Sequence, residues 1–426
     1  MSDGVFNLDV DGVVLTGDRG NNILKGAHNR FQSPEPLATT SCLSHLECSE
    51  CLAQVDADKL VGLCEICGAP LLVRYSLDRI QEKLSPKTLS DRSPDLWRYA
   101  ELLPIRNSER RVSLGEGFTP LLPMPRLAKS LGLDRLLLKD EGQNPGGTFK
   151  ARGAAVAISR LIELGGTCAA IPTNGNAGEA WAMYGAQAGL PVVVVMPEDA
   201  QITSQRICVA SGAETHLVKG LISDAGQMVK QGVAEQGWFD VSTFKEPYRV
   251  EGKKTMAYEI VEQLNWNLPD VVICPTGGGM AIAAMHKGFQ ELIELGWVTG
   301  SLPRMVAVQA KGCAPLVDAF ANNAKVSAFQ ENAHTFANGL RVPKSVGDRM
   351  ILRILRETNG TAIAVSDEEI RAAIRWAARV EGIFLCPEAA AILPGLQKLL
   401  ASGFIQPHEQ VVLLGTGNGL KYTNAL

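Results

Sequence analysis

Long hydrophobic runs are missing from this 426-residue chain. Its most apolar stretches, such as PVVVVMP (Pro191–Pro197), have the length of a strand, far short of the roughly 20 residues a membrane-spanning helix needs. A basic stripe is missing too: 41 Lys and Arg stand against 45 Asp and Glu, for a formal net charge of −4. That balance offers no footprint to nucleic acid or to an anionic membrane surface. The opening residues MSDGVFNLDVDG lack a basic segment followed by an apolar one, so a cytoplasmic location is expected. The ten cysteines are mostly scattered, which in a reducing compartment and at this size argues against a disulfide framework. What remains is the composition of a soluble globular protein, 46% hydrophobic and 20% charged, long enough for two or three domains.

Residues 1–41 show no sustained period and read as an arm. Within them DVDGVV (Asp9–Val14) looks like the first motif of haloacid-dehalogenase-type phosphatases, but no domain with the other motifs follows, so it is a chance match. Residues 42–76 hold paired cysteines, and 77–111 form a polar connector with a helical-looking segment, Asp95–Leu103. From residue 112 to 426 the pattern becomes strand, glycine-rich turn, helix, repeated. The apolar runs Arg135–Lys139, Cys168–Pro172, Val192–Met196, Val271–Cys274, Met305–Ala310, Ala362–Val365 and Val411–Gly415 are continuous rather than alternating. Continuous apolar strands are buried on both faces, which predicts an α/β fold with open, mainly parallel sheets. Ligands of such sheets bind at the carboxyl ends of the strands.

Four loops at such ends draw notice. PTGGGM (Pro275–Met280) lets successive N–H groups of Gly277, Gly278 and Gly279 turn to one point above a helix N-terminus, which suits a phosphate; the plain alternative is a tight turn. TNGNAG (Thr173–Gly178) places Asn174 and Asn176 in a second turn, either for local geometry or to donate to a ligand. GTGNGLK (Gly415–Lys421) offers the Thr416 hydroxyl. The fourth, NPGGTFKARG (Asn144–Gly153), puts Lys150 where a helix begins, against the dipole. A surface lysine is the plain reading. A partly desolvated amine of lowered pKa beside a phosphate cradle suits imine chemistry with pyridoxal phosphate.

SLGEGFTPLLPMPRL, then KDEGQNPGGTFKARG, RVEGKKTMAYEIVEQL, ANGLRVPKSVGD, EGIFLCPEAAA and TGNGLKY together resemble the fold-type II pyridoxal-phosphate enzymes, threonine synthases in particular, over residues 42–426. The resemblance implies two open α/β domains, the smaller (about 155–247) inserted in the larger. It implies a homodimer acting on an amino acid, with O-phospho-L-homoserine and water giving L-threonine and phosphate. Lys150 would bind the cofactor covalently and move protons, with Phe149 beside it. Asn176 would bond the ring 3′ oxygen, Gly277–Met280 the phosphate, and Thr416 the ring nitrogen. Thr173, Asn174, Ser242, Thr243 and Arg249 are candidates for the substrate. Departures sit at the substrate end: KARG stands for KDRG, PTGGGM for PxGNxG, and Ser242-Thr243 for an Asn-Ser pair. They keep open β-elimination or β-replacement on another amino acid (serine or threonine deamination, O-phosphoserine or cysteate chemistry), and a zinc-ribbon binding protein with an inactive cofactor domain.

Cys48, Cys51, Cys64 and Cys67 form CxxC-x12-CxxC. Two such knuckles supply four thiolates to a closed tetrahedral zinc site of structural role.

Overall fold

The computed structural model describes residues 41–425. The arm, with Asp9–Val14, lies outside the described residues apart from Ser41.

The described chain opens with β1 (Leu43–Cys48), β2 (Gln54–Val55) and β3 (Leu71–Tyr75), an antiparallel sheet in the order β2-β1-β3. Leu43, Leu46, Leu71 and Val73 are buried, and they join one apolar cluster with Ala151 and Val156 of the helix that Lys150 begins. Alternation along β3, with a register shift in β1 between Leu43 and His45, thus turns one face of this module onto the body of the protein. The stretch read as helical, Asp95–Leu103, is a 3₁₀ helix over Leu96–Leu102, capped by the Asp95 carboxylate accepting from Trp97 N at 2.8 Å.

Next come β4 (Leu121–Pro123), β5 (Arg135–Asp140), β6 (Ala169–Pro172), β7 (Val192–Pro197), β8 (Glu214–Val218) and β9 (Phe239–Asp240). The last four strands are β10 (Val271–Pro275), β11 (Arg304–Ala310), β12 (Thr361–Val365) and β13 (Gln410–Gly415). They build a six-stranded sheet, β12-β11-β10-β13-β5-β4, and a four-stranded one, β8-β7-β6-β9. Every pair is parallel except β4 with β5. All residues of β7 and β10 are buried, as expected of strands covered on both faces by helices.

The chain leaves the larger sheet after β5, builds the smaller one, and returns at β10. Helix Lys150–Glu163 leads out and helix Tyr248–Gln263 leads back. The two lie backbone to backbone: a Cβ on Gly252 would stand 1.9 Å from the Arg152 carbonyl oxygen, so only glycine permits the approach. The loops after β5, β6, β10 and β13 converge on one cleft.

Candidate active site

The stretch Asn144–Lys150 is held from two sides. Phe149 N donates to Thr416 O at 3.1 Å and Asn418 N to Gly147 O at 2.9 Å, lacing it to the loop after β13. On the other side Asn144 Nδ2 donates to Glu141 Oε2 at 2.9 Å, and its Oδ1 accepts from Gly117 N at 3.1 Å. Glu141 in turn takes Arg152 Nε at 2.6 Å and the Thr119 hydroxyl at 2.6 Å. Arg152 also pairs with Glu259, which accepts from Lys139 Nζ at 2.7 Å. Arg152, Glu141, Glu259 and Lys139 are all fully buried. This closed set of charges is balanced, two against two, and every member has a partner, the condition under which buried charge is tolerated. It fixes where the helix starts, and therefore where Lys150 points.

Lys150 is the first residue of its helix and lines the cleft. Its Nζ lies 4.6 Å from the centroid of the Phe149 ring. Burial lowers its pKa to about 8, the Arg249 guanidinium adds to the effect, and the Glu388 carboxylate opposes it. The residue after it, Ala151, is 0% exposed and belongs to the apolar core, which accounts for an apolar side chain at that point of KARG.

Across the cleft stand Gly277, Gly278, Gly279 and Met280, leading into helix Met280–Glu294. Gly279 has φ +78°, and a Cβ there would lie 2.0 Å from Ile351 Cδ1. Among the described residues, the N–H groups of Gly277, Gly278 and Gly279 have no partner. A cradle of free amides in the same cleft as a half-buried amine fits a phosphate-bearing aldehyde.

Asn176 begins the helix after β6 and also lines the cleft. Its Nδ2 donates to the Tyr422 hydroxyl at 2.5 Å and its Oδ1 accepts from Lys421 Nζ at 2.8 Å, while Lys421 pairs with Glu179. Thr416, 5% exposed, closes the end of β13.

The substrate candidates divide. Thr173, Asn174 and Thr243 line the cleft. The Thr173 hydroxyl is spent on its own turn, accepting from Gly175 N at 3.0 Å and Gly178 N at 3.2 Å. Asn174 Nδ2 donates to Asn338 O at 3.1 Å and Arg341 O at 3.0 Å, and its Oδ1 is buried without a partner among the described residues. Ser242 turns its hydroxyl to Asp240 and lines a neighbouring hollow. Arg249 is fully buried, donates to Val241 O at 2.7 Å, and stands behind the wall of the cleft. Sequence reasoning missed Glu388 and Tyr422, which line the cleft. They lie inside quoted motifs, yet no glycine pattern or spacing marks them.

In the N-terminal module the four cysteine sulfurs lie within 4.8 Å of one another, with Cys48–Cys67 at 3.3 Å and Cys51–Cys64 at 3.6 Å. Tetrahedral zinc with Zn–S bonds of about 2.3 Å has S–S edges of roughly 3.8 Å, so this donor set fits it.

Residues 112–417 match the family model described as pyridoxal-phosphate dependent enzyme. The threonine synthase of Methanocaldococcus jannaschii is 39% identical over 380 residues, 89% of this chain and 93% of that protein. That of Methanosarcina acetivorans is 38% identical, over 88% of this chain and 92% of its own length. The chain belongs to the threonine synthases. This threonine synthase family member shares its fold with diaminopropionate ammonia lyase of Escherichia coli (TM-score 0.62, 20% identity, 73% of this chain and 87% of that one). Maize serine racemase is similar in the same way (TM-score 0.61, 19% identity, 72% and 91%). The fold-type II architecture expected of a threonine synthase is thus present, and among the described residues no helix is long and apolar enough to cross a membrane.

Proposed function

We propose that this chain converts O-phospho-L-homoserine and water to L-threonine and phosphate, using pyridoxal phosphate. The observation that carries the reading is a half-buried lysine of lowered pKa that lines one cleft with a cradle of free amides.

Bound cofactor supplies an electron sink for negative charge at Cα and Cβ of the amino acid. The chain's own residues do the rest. Lys150 holds the cofactor and then, as a free amine, takes protons from Cα and Cβ and returns one at Cγ; a pKa near neutrality suits both directions. The amides of Gly277, Gly278, Gly279 and Met280 bind the cofactor phosphate. Asn176 would bond the ring 3′ oxygen, Thr416 would serve the ring nitrogen, and Phe149 would lie beside the ring. Thr243, Thr173 and Asn174 are positioned for the substrate. Ser242 and Arg249 serve its phosphate only if they exchange their present partners, Asp240 for Ser242 and Val241 O with the Glu246 carboxylate for Arg249.

Zinc at Cys48, Cys51, Cys64 and Cys67 plays a structural part in this reading. The module spans residues 42–76, a connector 77–111, and the catalytic region 112–426, with 155–247 as the inserted smaller domain. A cytoplasmic homodimer completes the proposal. The purified protein, given O-phosphohomoserine, is expected to release threonine and inorganic phosphate together. Pyruvate from serine or 2-oxobutyrate from threonine, with no threonine from phosphohomoserine, would replace this reading by β-elimination. The spent Ser242 hydroxyl and the withdrawn Arg249 are what favour that second reading.

A further inference from the structure

Beside the cleft lies a second hollow of about 300 Å³. The two are continuous, since Pro172, Ile222, Thr243, Gly278 and Val342 line both. Their shared threshold is tight: a Cβ on Gly278 would lie 3.2 Å from Thr243 Cγ2. The Ser345 hydroxyl, from the far wall of the hollow, donates to Gly278 O at 2.7 Å and ties that wall to the cradle.

Three separate segments each bring one lysine to the hollow. Lys230 comes from helix Ile222–Gln236, Lys245 from the loop after β9, and Lys344 from the loop before helix Asp348–Glu357. Among the described residues no carboxylate lines it. The Lys245 charge is met by Asp240, which stands outside the lining with its Oδ2 at 2.8 Å. Lys344 Nζ donates to Ser327 O, a neutral acceptor, at 3.1 Å. Lys230 is exposed and has no hydrogen bond or ion pair among the described residues. Two positive charges are therefore left without a counter-charge at an opening that leads past Thr243 and Gly278 to the cleft.

The chain as a whole carries a formal charge of −4, a field that repels an anion. The phosphate of an amino-acid phosphate ester brings about −1.5 to −2 at neutral pH, whereas serine and threonine bring no net charge. A locally positive approach reverses the repulsion for the first class and does nothing for the second. We propose that this hollow is the entry port of the active site, and that Lys230 and Lys344 draw a phosphate-bearing amino acid through it. This rests on the substrate class given under Proposed function. Charge at the rim of a site acts on the rate of association and on its salt dependence.

The test mixes holoenzyme with the phosphonate analogue of O-phosphohomoserine, whose carbon–phosphorus bond cannot release phosphate, and follows the visible band by stopped flow. The association rate is expected to fall at least about fivefold as ionic strength rises from about 0.02 to 0.3 M. Lys230→Gln should lower the rate at low salt about two- to threefold, Lys230→Gln with Lys344→Gln about fivefold, and the double variant should lose most of the salt dependence. Lys230→Arg should restore the wild-type rate. In turnover, kcat/KM for O-phosphohomoserine should fall by the same factors, with kcat changed far less. L-Serine, without net charge, should associate equally fast with all of these proteins. Lys129→Gln, on helix Pro125–Leu131 away from both hollow and cleft, removes the same charge and should leave the rate unchanged. A wild-type rate indifferent to salt overturns the proposal. So does an equal loss in Lys129→Gln, which assigns the effect to net charge, or an equal loss with serine, which assigns it to shape. Failure of the underlying reaction looks different: no threonine forms from O-phosphohomoserine, while the analogue's association still decides on the port.

Discussion

At the scale of single residues, Lys150 carries the most chemistry in the proposed reaction, and its behaviour with pH follows from its surroundings. Burial, then Arg249, lowers the amine to about 8. Only the neutral amine attacks an aldehyde, so cofactor uptake by the apoprotein should accelerate as pH rises through about 8 and then level off. An ordinary exposed lysine would go on gaining up to about 10.4. The unfolded chain binds this proton more tightly than the folded one, so Lys150's contribution to apoprotein stability also rises between those two values. Stopped-flow absorbance against pH tests this; a midpoint near 10 would refute it. Lys150→Ala should abolish the imine-type visible band while leaving the unfolding temperature within a few degrees. Lys150 was legible because a cation at a helix start conflicts with the dipole, and the conflict marked it. Glu388 was not, since a glutamate in an alanine-rich turn carries no such conflict. Its meaning comes from Gly339, 49 residues away in the chain.

At the scale of elements, the arginine of KARG does not touch the cleft and yet sets it. Arg152→Met removes a cation from a balanced buried set and leaves Glu141 and Glu259 facing each other beside Lys139. Breaking such a set costs about 3–5 kcal/mol. The expected result is a large drop in chemical-denaturation midpoint, together with weaker cofactor retention because the start of the Lys150 helix loosens. A variant as stable as wild type would show that the charges are dispensable. Gly279→Ala should cost about 1–3 kcal/mol through its positive φ, plus the clash with Ile351, and should lower affinity for inorganic phosphate and for the cofactor, read by calorimetry. The continuous apolar strands were legible to within a residue or so, because burial on both faces leaves no other pattern. β4, β8 and β9 were not. β4 has three residues and β9 two, and β8 is an edge strand of intermediate burial whose side chains form no apolar run. The 3₁₀ segment Leu96–Leu102 kept its capping signal but not its helix type, because six of its seven residues are buried and tertiary packing decides.

At the scale of the whole molecule, the cysteine module is tied to the helix that returns from the smaller sheet. The Tyr75 hydroxyl, at the end of β3, donates to Glu251 Oε2 at 2.8 Å. Glu251 sits in a buried group with Lys254, Lys287 and Glu291, and the Lys254 amine lies 4.0 Å from the Tyr75 ring centroid. Helix Tyr248–Gln263 also carries Arg249, whose charge bears on Lys150. Elsewhere Arg353 donates to Ser49 O at 2.8 Å and Arg160 to Ala57 O at 2.9 Å, so the first knuckle and the loop after β2 rest on the body of the protein. Removal of the metal proposed for the four thiols should therefore not remain a local event. Metal-free thiols no longer hold the knuckles, β3 loses its anchor, and Tyr75 no longer holds Glu251 in place. Stripping the metal with a strong chelator should lower the unfolding temperature by several degrees. It should also raise hydrogen exchange in residues 248–263 as well as in 42–76, and weaken cofactor affinity. Tyr75→Phe, which leaves the thiols intact, separates the two links: it should reproduce the exchange in 248–263 without that in the knuckles. Exchange confined to 42–76 after chelation would mean that the module is a passive appendage. If exchange spreads to 248–263 in both experiments, the metal site acts on the active-site wall through a single tyrosine.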